Sequence, residues 1–229
     1  REQKKESDGH PMRKVAVCVV VLGLVGVCLT AGALAIDGFD LSVFQGDVSQ
    51  SAYDCLKHSG YDFAIIQAMT SQGTVNPYAA NDLIRAEKAG IKYRDIYIFL
   101  NFHKDPKAQT REAIQAMRNH GAKFGQVWFD IEAPNLWGSC AQNHAFFKAA
   151  VDEAHAMGEK PAIYSSASQW GPIMCGYTGF SHLPLWYAHY DGRKTFSDFS
   201  PFGGWSRPNI KQFQGTTGIC GTQIDKDWY

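Results

Sequence analysis

Two carboxylic acids stand two residues apart at the end of an apolar segment, Gly125-Gln126-Val127-Trp128-Phe129-Asp130-Ile131-Glu132-Ala133-Pro134. Its β-branched and aromatic residues predict a buried strand. Residues i and i+2 of a strand face the same side of the sheet, so we expect the carboxyl groups of Asp130 and Glu132 to lie together. Burying such groups without partners or a task is costly. Paired carboxyl groups are also the usual catalytic groups of glycosidic bond hydrolysis, which makes this segment the first candidate site.

Strand-like and helix-like segments alternate from residue 36 to residue 165. The pattern predicts strands at Ile36–Ser42, Phe63–Met69, Arg94–Phe102, Val127–Glu132 and Pro161–Ser165, and helices at Val48–Gly60, about Pro77–Gly90, Pro106–Gly121 and Ser139–Gly158. Three short strands are predicted after them, at Leu185–Tyr190, Ile210–Gln214 and Gln223–Asp227. Alternation indicates an α/β domain with a parallel sheet. Because eight complete βα units typically need about 250 residues, five such units and three plain strands fit better.

Polar residues occur late in these predicted strands. They are Asp40, Gln67, Asn101, Asp130, Glu132, Tyr164, Gln214 and Asp225. In a closed barrel of parallel strands, these ends meet at one rim, where barrel enzymes build their active sites. We therefore expect one polar site at that rim.

The N-terminal 35 residues differ from the rest of the chain. Arg13 and Lys14 precede a run without charge from Val15 to Ile36, and Ala33-Leu34-Ala35 fits a signal peptidase site. These features predict a secretory signal peptide with an N-terminal extension over residues 1–35, and a catalytic domain over residues 36–229. The alternative is a membrane anchor, since the run is long enough to span a bilayer. A strand pattern that begins immediately after Ala35 favours a cleaved signal peptide over a membrane anchor. The mature protein would then leave the membrane and be secreted or retained in a lysosomal or phagosomal lumen.

The charge balance of the predicted mature chain excludes some classes of partner. Five of the 22 Lys and Arg residues and three of the 22 Asp and Glu residues precede Ile36, which leaves 17 basic and 19 acidic residues. A chain this close to neutral has no basic surface for nucleic acid or anionic membranes.

Four cysteines remain after the signal peptide: Cys55, Cys140, Cys175 and Cys220. An even number in a secreted chain indicates two disulfides, with three possible pairings. Their spacing matches no zinc-binding pattern, and no metal or other cofactor is expected. Cys140 and Cys175 flank one helix–strand–turn segment, whereas Cys55 follows the first strand and Cys220 precedes the last. Because first and last strands are neighbours in a closed barrel, we predict Cys140–Cys175 and Cys55–Cys220.

Four motifs in order resemble those of the glycoside hydrolase family 25 lysozymes, the Chalaropsis type. They are Gly38-Phe39-Asp40-Leu41-Ser42 with Gln45-Gly46, Asp130-Ile131-Glu132, Leu185-Trp186-Tyr187-Ala188 with Gln212-Phe213-Gln214, and Ile224-Asp225-Lys226-Asp227. The resemblance covers nearly all of residues 36–229. One departure is Asp227, at a position where the family commonly has Asn. The signal peptide and the cysteines suggest an animal or protist branch.

The resemblance implies a single domain folded as an irregular (β/α)5β3 TIM-like barrel. It implies a monomeric, antimicrobial lysozyme that hydrolyses the β-1,4 bonds between N-acetylmuramic acid and N-acetylglucosamine in bacterial peptidoglycan. Glu132 would be the general acid, and an ionised Asp130 would stabilise the oxocarbenium-like state or orient the 2-acetamido group of the substrate. Asp40 and Asp225 would complete the catalytic set. The implied substrate-binding residues are Gln67, Asn101, Tyr164, Trp186, Tyr187 and Gln214.

Three other classes of barrel share part of this pattern. A chitinase-like barrel also carries Asp-x-Glu but usually has a further Asp two residues earlier, where this chain has Trp128. A metal-dependent phosphodiesterase would need a histidine pair at strand ends, which His103 and His189 supply only weakly. A non-catalytic glycan-binding barrel remains an alternative, although the intact set of acids favours an enzyme.

Overall fold

Eight strands close into one barrel in chain order in a computed structural model that describes residues 35–229. The predicted signal peptide, apart from Ala35, lies outside the described residues. The strands are β1 Asp37–Leu41, β2 Tyr61–Met69, β3 Tyr93–Phe99, β4 Val127–Asp130, β5 Pro161–Ser165, β6 Leu185–Ala188, β7 Ile210–Ile219 and β8 Thr222–Trp228. The helices are α1 Gln50–His58, α2 Ala79–Lys88, α3 Pro106–Asn119, α4 Cys140–Ala156 and α5 Ala167–Met174.

The barrel is irregular because its last strand runs against its neighbours. Strands β1 to β7 pair in parallel, and β8 pairs antiparallel with both β7 and β1. Each of the first five strands is followed by a helix, which confirms the (β/α)5β3 prediction. Helix α5 had no predicted bounds, since Gly171 and Pro172 within it are poor helix formers.

Local sequence signals fix where the helices begin. The side chain of Ser49 accepts a hydrogen bond from the Ala52 amide at the start of α1. Asp105 caps α3 in the same way, and Pro106 occupies the first helical position, where no amide hydrogen is needed. These caps hold the βα loops that surround one end of the barrel.

Successive residues of each strand separate the core into two layers. Inward-facing side chains fill the barrel: Phe63, Ile65, Tyr97, Trp128, Ala162, Tyr164, Trp186 and Ile210. Outward-facing side chains pack against the helices, for example Phe39 of β1 and Phe129 of β4. The two layers follow from the two-residue period of a strand. Inward-facing positions at the carboxyl ends of the strands are consequently left for polar groups.

Two disulfides fasten the outside of the barrel, with the pairing that the sequence predicts. Cys55 of α1 is bonded to Cys220 in the turn between β7 and β8. Cys140, the first residue of α4, is bonded to Cys175, which follows α5. Within residues 35–229, none of the helices combines the length and the apolar character that crossing a bilayer requires.

Candidate active site

The acidic pair of β4 faces the interior of the barrel. Asp130 ends the strand, Glu132 follows two residues later, and both line one small pocket. Ile131, between them, is fully buried in the outer layer of the core. The structure therefore brings the two carboxyl groups to one face, as the strand period predicts.

The backbone around Glu132 is held by two hydrogen bonds and a left-handed turn. Its carbonyl oxygen accepts a hydrogen bond from Nε1 of Trp137, at 2.8 Å. The next amide, that of Ala133, donates to Oε1 of Gln169 at 2.9 Å. Ala133 has a φ of 55°, a left-handed conformation that turns the chain away from the barrel at once. Glu132 thus sits on a tightly fixed strand-to-loop corner.

The pocket has a volume of about 110 Å³ and lies at the carboxyl ends of the parallel strands. Its lining consists of Asp40, Tyr97, Asp130, Glu132, Tyr164, Trp186, Tyr190, Gln212 and Asp225. All four predicted catalytic acids therefore meet in one place. The ionisable lining is acidic or phenolic throughout.

Gln212 organises one wall of this pocket. Its Nε2 donates a hydrogen bond to Oδ2 of Asp40 at 2.6 Å, and lies 3.5 Å from Oδ2 of Asp225. Its Oε1 accepts hydrogen bonds from the hydroxyl groups of Tyr164, at 2.6 Å, and Tyr190, at 2.8 Å. One amide side chain consequently fixes the positions of two acids and two phenols.

Burial and mutual repulsion raise the pKa values of the acids in the pocket. Burial raises the pKa of Glu132, and the nearby Asp225 raises it further. The pKa of Asp130 is well above its usual value because its carboxyl group is buried beside Glu132 and Asp40. The sequence predicts an ionised Asp130, whereas this surrounding favours its neutral form. Acids this close titrate as a set, with protons distributed among them.

The two acids on the opposite wall behave in the same way. Burial, followed by repulsion from Asp225, raises the pKa of Asp40 well above its usual value. Burial also raises the pKa of Asp225, although the Thr216 amide donates a hydrogen bond to its Oδ1 at 2.5 Å. The site is therefore built to hold protons at pH values where exposed carboxyl groups have lost them.

Gln214 is the first predicted binding residue that the structure moves out of the site. Its side chain is exposed, and Gln212 takes the place in the pocket instead. The cause is a β-bulge: Gln212 pairs with Asp227 and Gln214 with Lys226, so β7 uses two residues where β8 uses one. A bulge breaks the alternation of faces, and the sequence gives little sign of it.

Tyr187 is the second correction. It packs in the outer layer with Phe199 and Phe202, away from the pocket. Its neighbour Trp186 faces inward and forms part of the pocket floor, where its Nε1 donates to Oδ1 of Asp227 at 2.8 Å. Adjacent residues of β6 must face opposite sides, so only one of the two could line the pocket.

Gln67 and Asn101 lie at the same end of the barrel but hold loops. Oε1 of Gln67 accepts a hydrogen bond from the amide of Val43, which fixes the turn after β1. Nδ2 of Asn101 donates to the carbonyl of Ser71 at 3.0 Å. Neither residue lines the pocket, so the structure places both as supports of its rim.

Four residues of the site or its floor were not among the predicted site residues: Tyr97, Tyr190, Gln212 and Asp227. Tyr97 could have been found, because it lies on the inward face of β3 two residues after Asp95. Tyr190 follows β6 and reaches the pocket from a loop, and no periodic signal marks such a position.

A shallow groove continues from the pocket along β5 and β6. It has a volume of about 260 Å³ and shares Glu132, Tyr164 and Tyr190 with the pocket. Its other walls are Ser166, Ser168, Gln169, Ala188 and His189. Hydroxyl, amide and imidazole groups along such a groove suit a polar, chain-like ligand.

His189, Asp191 and Asp198 form a cluster beside that groove whose side-chain atoms would be close enough to bind a metal ion. However, the fully buried ammonium group of Lys211 lies 2.9 Å from Asp191 and 3.0 Å from Asp198. His189 also donates from Nδ1 to Oδ2 of Asp198, at 2.5 Å. Both carboxylates are thus already paired with a protein cation, and the arrangement orients the imidazole ring.

A larger cavity, of about 380 Å³, lies at the opposite end of the barrel. Its acid, Asp95, accepts hydrogen bonds from Nε1 of Trp128 and from the amide of Gln126, both at 2.9 Å. A single acid occupied by two donors cannot supply paired carboxyl chemistry. The smaller pocket around Glu132 is therefore the candidate active site, in spite of its size.

Comparisons with known proteins agree with this geometry. The family model described as Lys-1, lysozyme-like protein 1, matches residues 37–213. Over 219 residues the chain is 42% identical to the Dictyostelium discoideum protein named "Probable GH family 25 lysozyme 2", covering 95% of this chain and 100% of that protein.

Solved structures have the same fold. A family GH25 lysozyme from Aspergillus fumigatus superposes with a TM-score of 0.68 at 24% identity, covering 84% of this chain and 93% of the other. The modular autolysin LytC of Streptococcus pneumoniae, solved in complex with a synthetic peptidoglycan ligand, gives a TM-score of 0.68 at 16% identity, covering 87% of this chain and 48% of the other. A family match over most of the barrel, together with 42% identity along the whole of a relative, shows that the chain belongs to the glycoside hydrolase family 25 lysozymes.

Proposed function

We propose that this protein is a muramidase that hydrolyses the β-1,4 bond between N-acetylmuramic acid and N-acetylglucosamine in bacterial peptidoglycan. The observation that carries the proposal is the meeting of Asp130 and Glu132 in one pocket with Asp40 and Asp225. Membership of the family supports the reaction class. The LytC complex supports the substrate class, since that relative in fold was solved with a peptidoglycan ligand.

Glu132 is the general acid in this proposal. It borders both the pocket and the adjoining groove, so it can reach a glycosidic oxygen between two sugars that occupy them. Burial and the neighbouring Asp225 raise its pKa, which keeps the proton available at mildly acidic pH. Transfer of that proton to the leaving oxygen makes the sugar a better leaving group.

Asp130 binds the substrate group that assists the cleavage. Its Oδ1 is buried and accepts no hydrogen bond from the side chains and backbone of residues 35–229. An N–H group of the substrate's 2-acetamido substituent could donate a hydrogen bond to that oxygen and so stabilise the charged form of Asp130. As positive charge develops on the sugar ring, a negative Asp130 lowers the energy of the transition state. The productive proton distribution therefore has the proton on Glu132 and the charge on Asp130.

We also propose that the protein acts in an oxidising compartment, outside the cell or in a lysosomal or phagosomal lumen. The two disulfides support this, because such bonds persist where thiols are not kept reduced. N-terminal sequencing of protein recovered from culture medium and from organelle fractions tests the compartment and the cleavage after Ala35 together.

Replacement of Glu132 by Gln tests the catalytic proposal. The substitution keeps size and hydrogen bonding but removes the transferable proton, so the rate of peptidoglycan hydrolysis should fall by at least about 10²–10⁴-fold. The release of reducing ends from purified peptidoglycan measures the rate, and circular dichroism verifies folding. Glu112→Gln, on the exposed face of α3, is the matched control and should keep the wild-type rate.

Two outcomes would count against the proposal. Folded Glu132→Gln protein that hydrolyses peptidoglycan at the wild-type rate would exclude Glu132 as the acid. Chitin oligosaccharides provide a second substrate, and faster cleavage of chitin than of peptidoglycan would favour a chitinase instead.

A further inference from the structure

A fifth carboxyl group lies beneath the catalytic set. Asp227 of β8 is fully buried, and its Oδ1 accepts a hydrogen bond from Nε1 of Trp186 at 2.8 Å. Its Oδ2 is also buried and accepts no hydrogen bond from any donor within residues 35–229. Leaving a buried carboxylate oxygen without a donor is costly. Asp227 is thus a poor place for a negative charge.

The group that faces Asp227 is another acid. In the antiparallel pairing of β1 with β8, Gly38 lies opposite Asp227 and Asp40 lies opposite Asp225. This register brings the side chains of Asp40 and Asp227 within hydrogen-bonding reach of each other. Two carboxyl groups can form that hydrogen bond only when one of them carries a proton.

The surroundings indicate which of the two acids holds the proton. Asp40 already receives a strong hydrogen bond from Nε2 of Gln212, at 2.6 Å, which favours its charged form. Asp227 is completely enclosed, and it receives only the indole N–H of Trp186. Asp227 is therefore the donor and Asp40 the acceptor.

No cation in the lining of the pocket relieves this charge. The titratable groups around Asp227 and the pocket above it are Asp40 of β1, Tyr97 of β3, Asp130 and Glu132 of β4, Tyr164 of β5, Tyr190 after β6 and Asp225 of β8. On β7 the neutral Gln212 faces inward, whereas Lys211 faces outward to Asp191 and Asp198. Burial, then repulsion from Asp40, raises the pKa of Asp227 well above its usual value.

We propose that Asp227 is a positioning residue that works as a neutral acid: its carboxyl group donates a hydrogen bond to the carboxylate of Asp40 and fixes it at the floor of the pocket. The role of Asp40 in catalysis belongs to the proposed function, on which the activity readout of this inference rests. The proton on Asp227 does not depend on that function.

Two substitutions at this position separate a neutral acid from a charged one. The amide of Asp227→Asn can donate to Asp40 and accept from Trp186 but cannot ionise, so kcat should stay within a few-fold of wild type. Asp227→Leu is similar in size and offers neither group. Loss of a hydrogen bond to a charged group should lower kcat by about tenfold or more. The acidic limb of its pH–rate profile should also move to higher pH, because Asp40 loses a donor that stabilises its charge.

Thermal unfolding gives a readout that is independent of activity. A buried acid with a raised pKa stabilises the fold below its unfolded pKa, and this contribution is lost as pH rises towards the folded pKa. The Asp227→Asn variant has no ionisable group at this position, so it does not lose this stability as the pH rises. Its Tm should therefore rise relative to wild type as pH increases from about 4, the unfolded pKa of Asp. Asp152→Asn, a change of an exposed carboxylate on α4, should show no such trend.

Either readout can overturn the inference. Asp227→Asn protein with activity as low as that of Asp227→Leu would show that Asp227 acts as an anion. A Tm difference between Asp227→Asn and wild type that does not change with pH would show that the group is ionised in the fold. If Asp227→Leu does not fold, the Asn variant alone decides. Inactivity of wild type itself would remove the proposed function but leave the Tm result valid.

Discussion

At the scale of single residues, the surroundings of a carboxyl group decide what it can do. Asp130 and Asp191 have the same side chain but opposite surroundings. Burial beside other acids raises the pKa of Asp130. Burial is the largest influence on Asp191 and would raise its pKa, but the hydrogen bonds from Lys211 and from the Arg193 amide, together with the charge of Lys211, outweigh burial and lower the pKa. One aspartate thus becomes a proton-sharing group of the pocket and the other a permanent partner of a lysine.

Gln212 should matter for activity far more than its neighbour Gln214. Gln212→Ala removes the hydrogen bond to Asp40 and leaves the hydroxyl groups of Tyr164 and Tyr190 without their shared acceptor. Loss of a hydrogen bond to a charged group costs about 1.5–3 kcal/mol, so kcat should fall by about 10- to 150-fold. Steady-state kinetics on peptidoglycan measure this.

Gln214→Ala is the matched control, two positions along the same strand and exposed. Its kcat should equal that of wild type. Equal losses in both variants would mean that the β7 bulge does not separate the two side chains in solution.

At this scale the sequence predicts which residues of one regular strand share a face better than it predicts whether a single residue lines the site. Asp130 and Glu132 could be placed on one face because a regular strand has a period of two. The prediction that Gln214 lines the site was wrong because the bulge changes that period within β7. The prediction that Tyr187 lines the site was wrong because both layers of the core are apolar, so an aromatic residue on β6 can face either one. Tyr190 depends on a loop conformation, which periodicity does not describe.

At the scale of elements, the two disulfides hold parts of the chain that differ greatly in sequence separation. Cys55–Cys220 spans 165 residues and Cys140–Cys175 spans 35. Cys55 and Cys175 are exposed and their partners are half-buried, so neither pair fills the core. Replacing either pair with alanine should consequently act mainly through the entropy of the unfolded chain.

Loss of the longer link should be the more destabilising. The chain-entropy relation gives about 5 kcal/mol for the Cys55→Ala/Cys220→Ala variant and about 4 kcal/mol for Cys140→Ala/Cys175→Ala. Urea unfolding of both variants and of wild type measures the difference. If the Cys140→Ala/Cys175→Ala variant proves the less stable, local packing around α4 and α5 matters more than loop length.

Helix and strand bounds were largely predictable because strong local signals mark them. Asp105-Pro106 marks the start of α3, and Ser139 marks that of α4. Helix α5 also has a serine, Ser166, at its N-cap, but this side chain makes no capping hydrogen bond, and Pro172 inside the helix argues against a helix there. Strand β7 extends to Ile219, five residues beyond its predicted end, because its last part pairs only with β8 and projects past the barrel.

At the scale of the whole molecule, buried acids should make stability depend on pH. Burial raises the pKa of Asp82 to about 7, and burial also raises the pKa of Asp95 and of the acids around the pocket. The sign follows from linkage: these groups stabilise the fold below their unfolded pKa of about 4, and the contribution is lost as pH rises through their folded values. Each such group lowers the free energy of unfolding by about 1.4 kcal/mol per pH unit within its window.

Tm should therefore fall as pH rises from about 4 to 8. Asp47 and Asp198 have lowered pKa values and act oppositely, but their contribution is lost only below about pH 4. Calorimetric scans across this pH range check the trend. A Tm that climbs steadily towards pH 8 would mean that the buried acids are ionised in the folded protein.

The closed barrel itself was predictable from the count of elements, but the direction of its last strand was not. Five βα units require parallel neighbours, but nothing in Thr222–Trp228 says that this strand runs the other way. Its direction follows from the short turn at Cys220-Gly221, where both residues have positive φ. Because β8 is antiparallel, Asp225 and Asp227 enter the site from the side of β1, which creates the contact with Asp40.

The enclosed ammonium group of Lys211 can report how often the segment that covers it opens to solvent. Exposed amines, such as those of Lys123 and Lys148, are open to acylating reagents at all times. Lys211 is covered by the segment after β6 that carries Asp191 and Asp198. A reagent can reach its nitrogen only while that segment is lifted away. The rate at which Lys211 is acylated, relative to the rate for the exposed lysines, thus measures how often this wall of the groove opens.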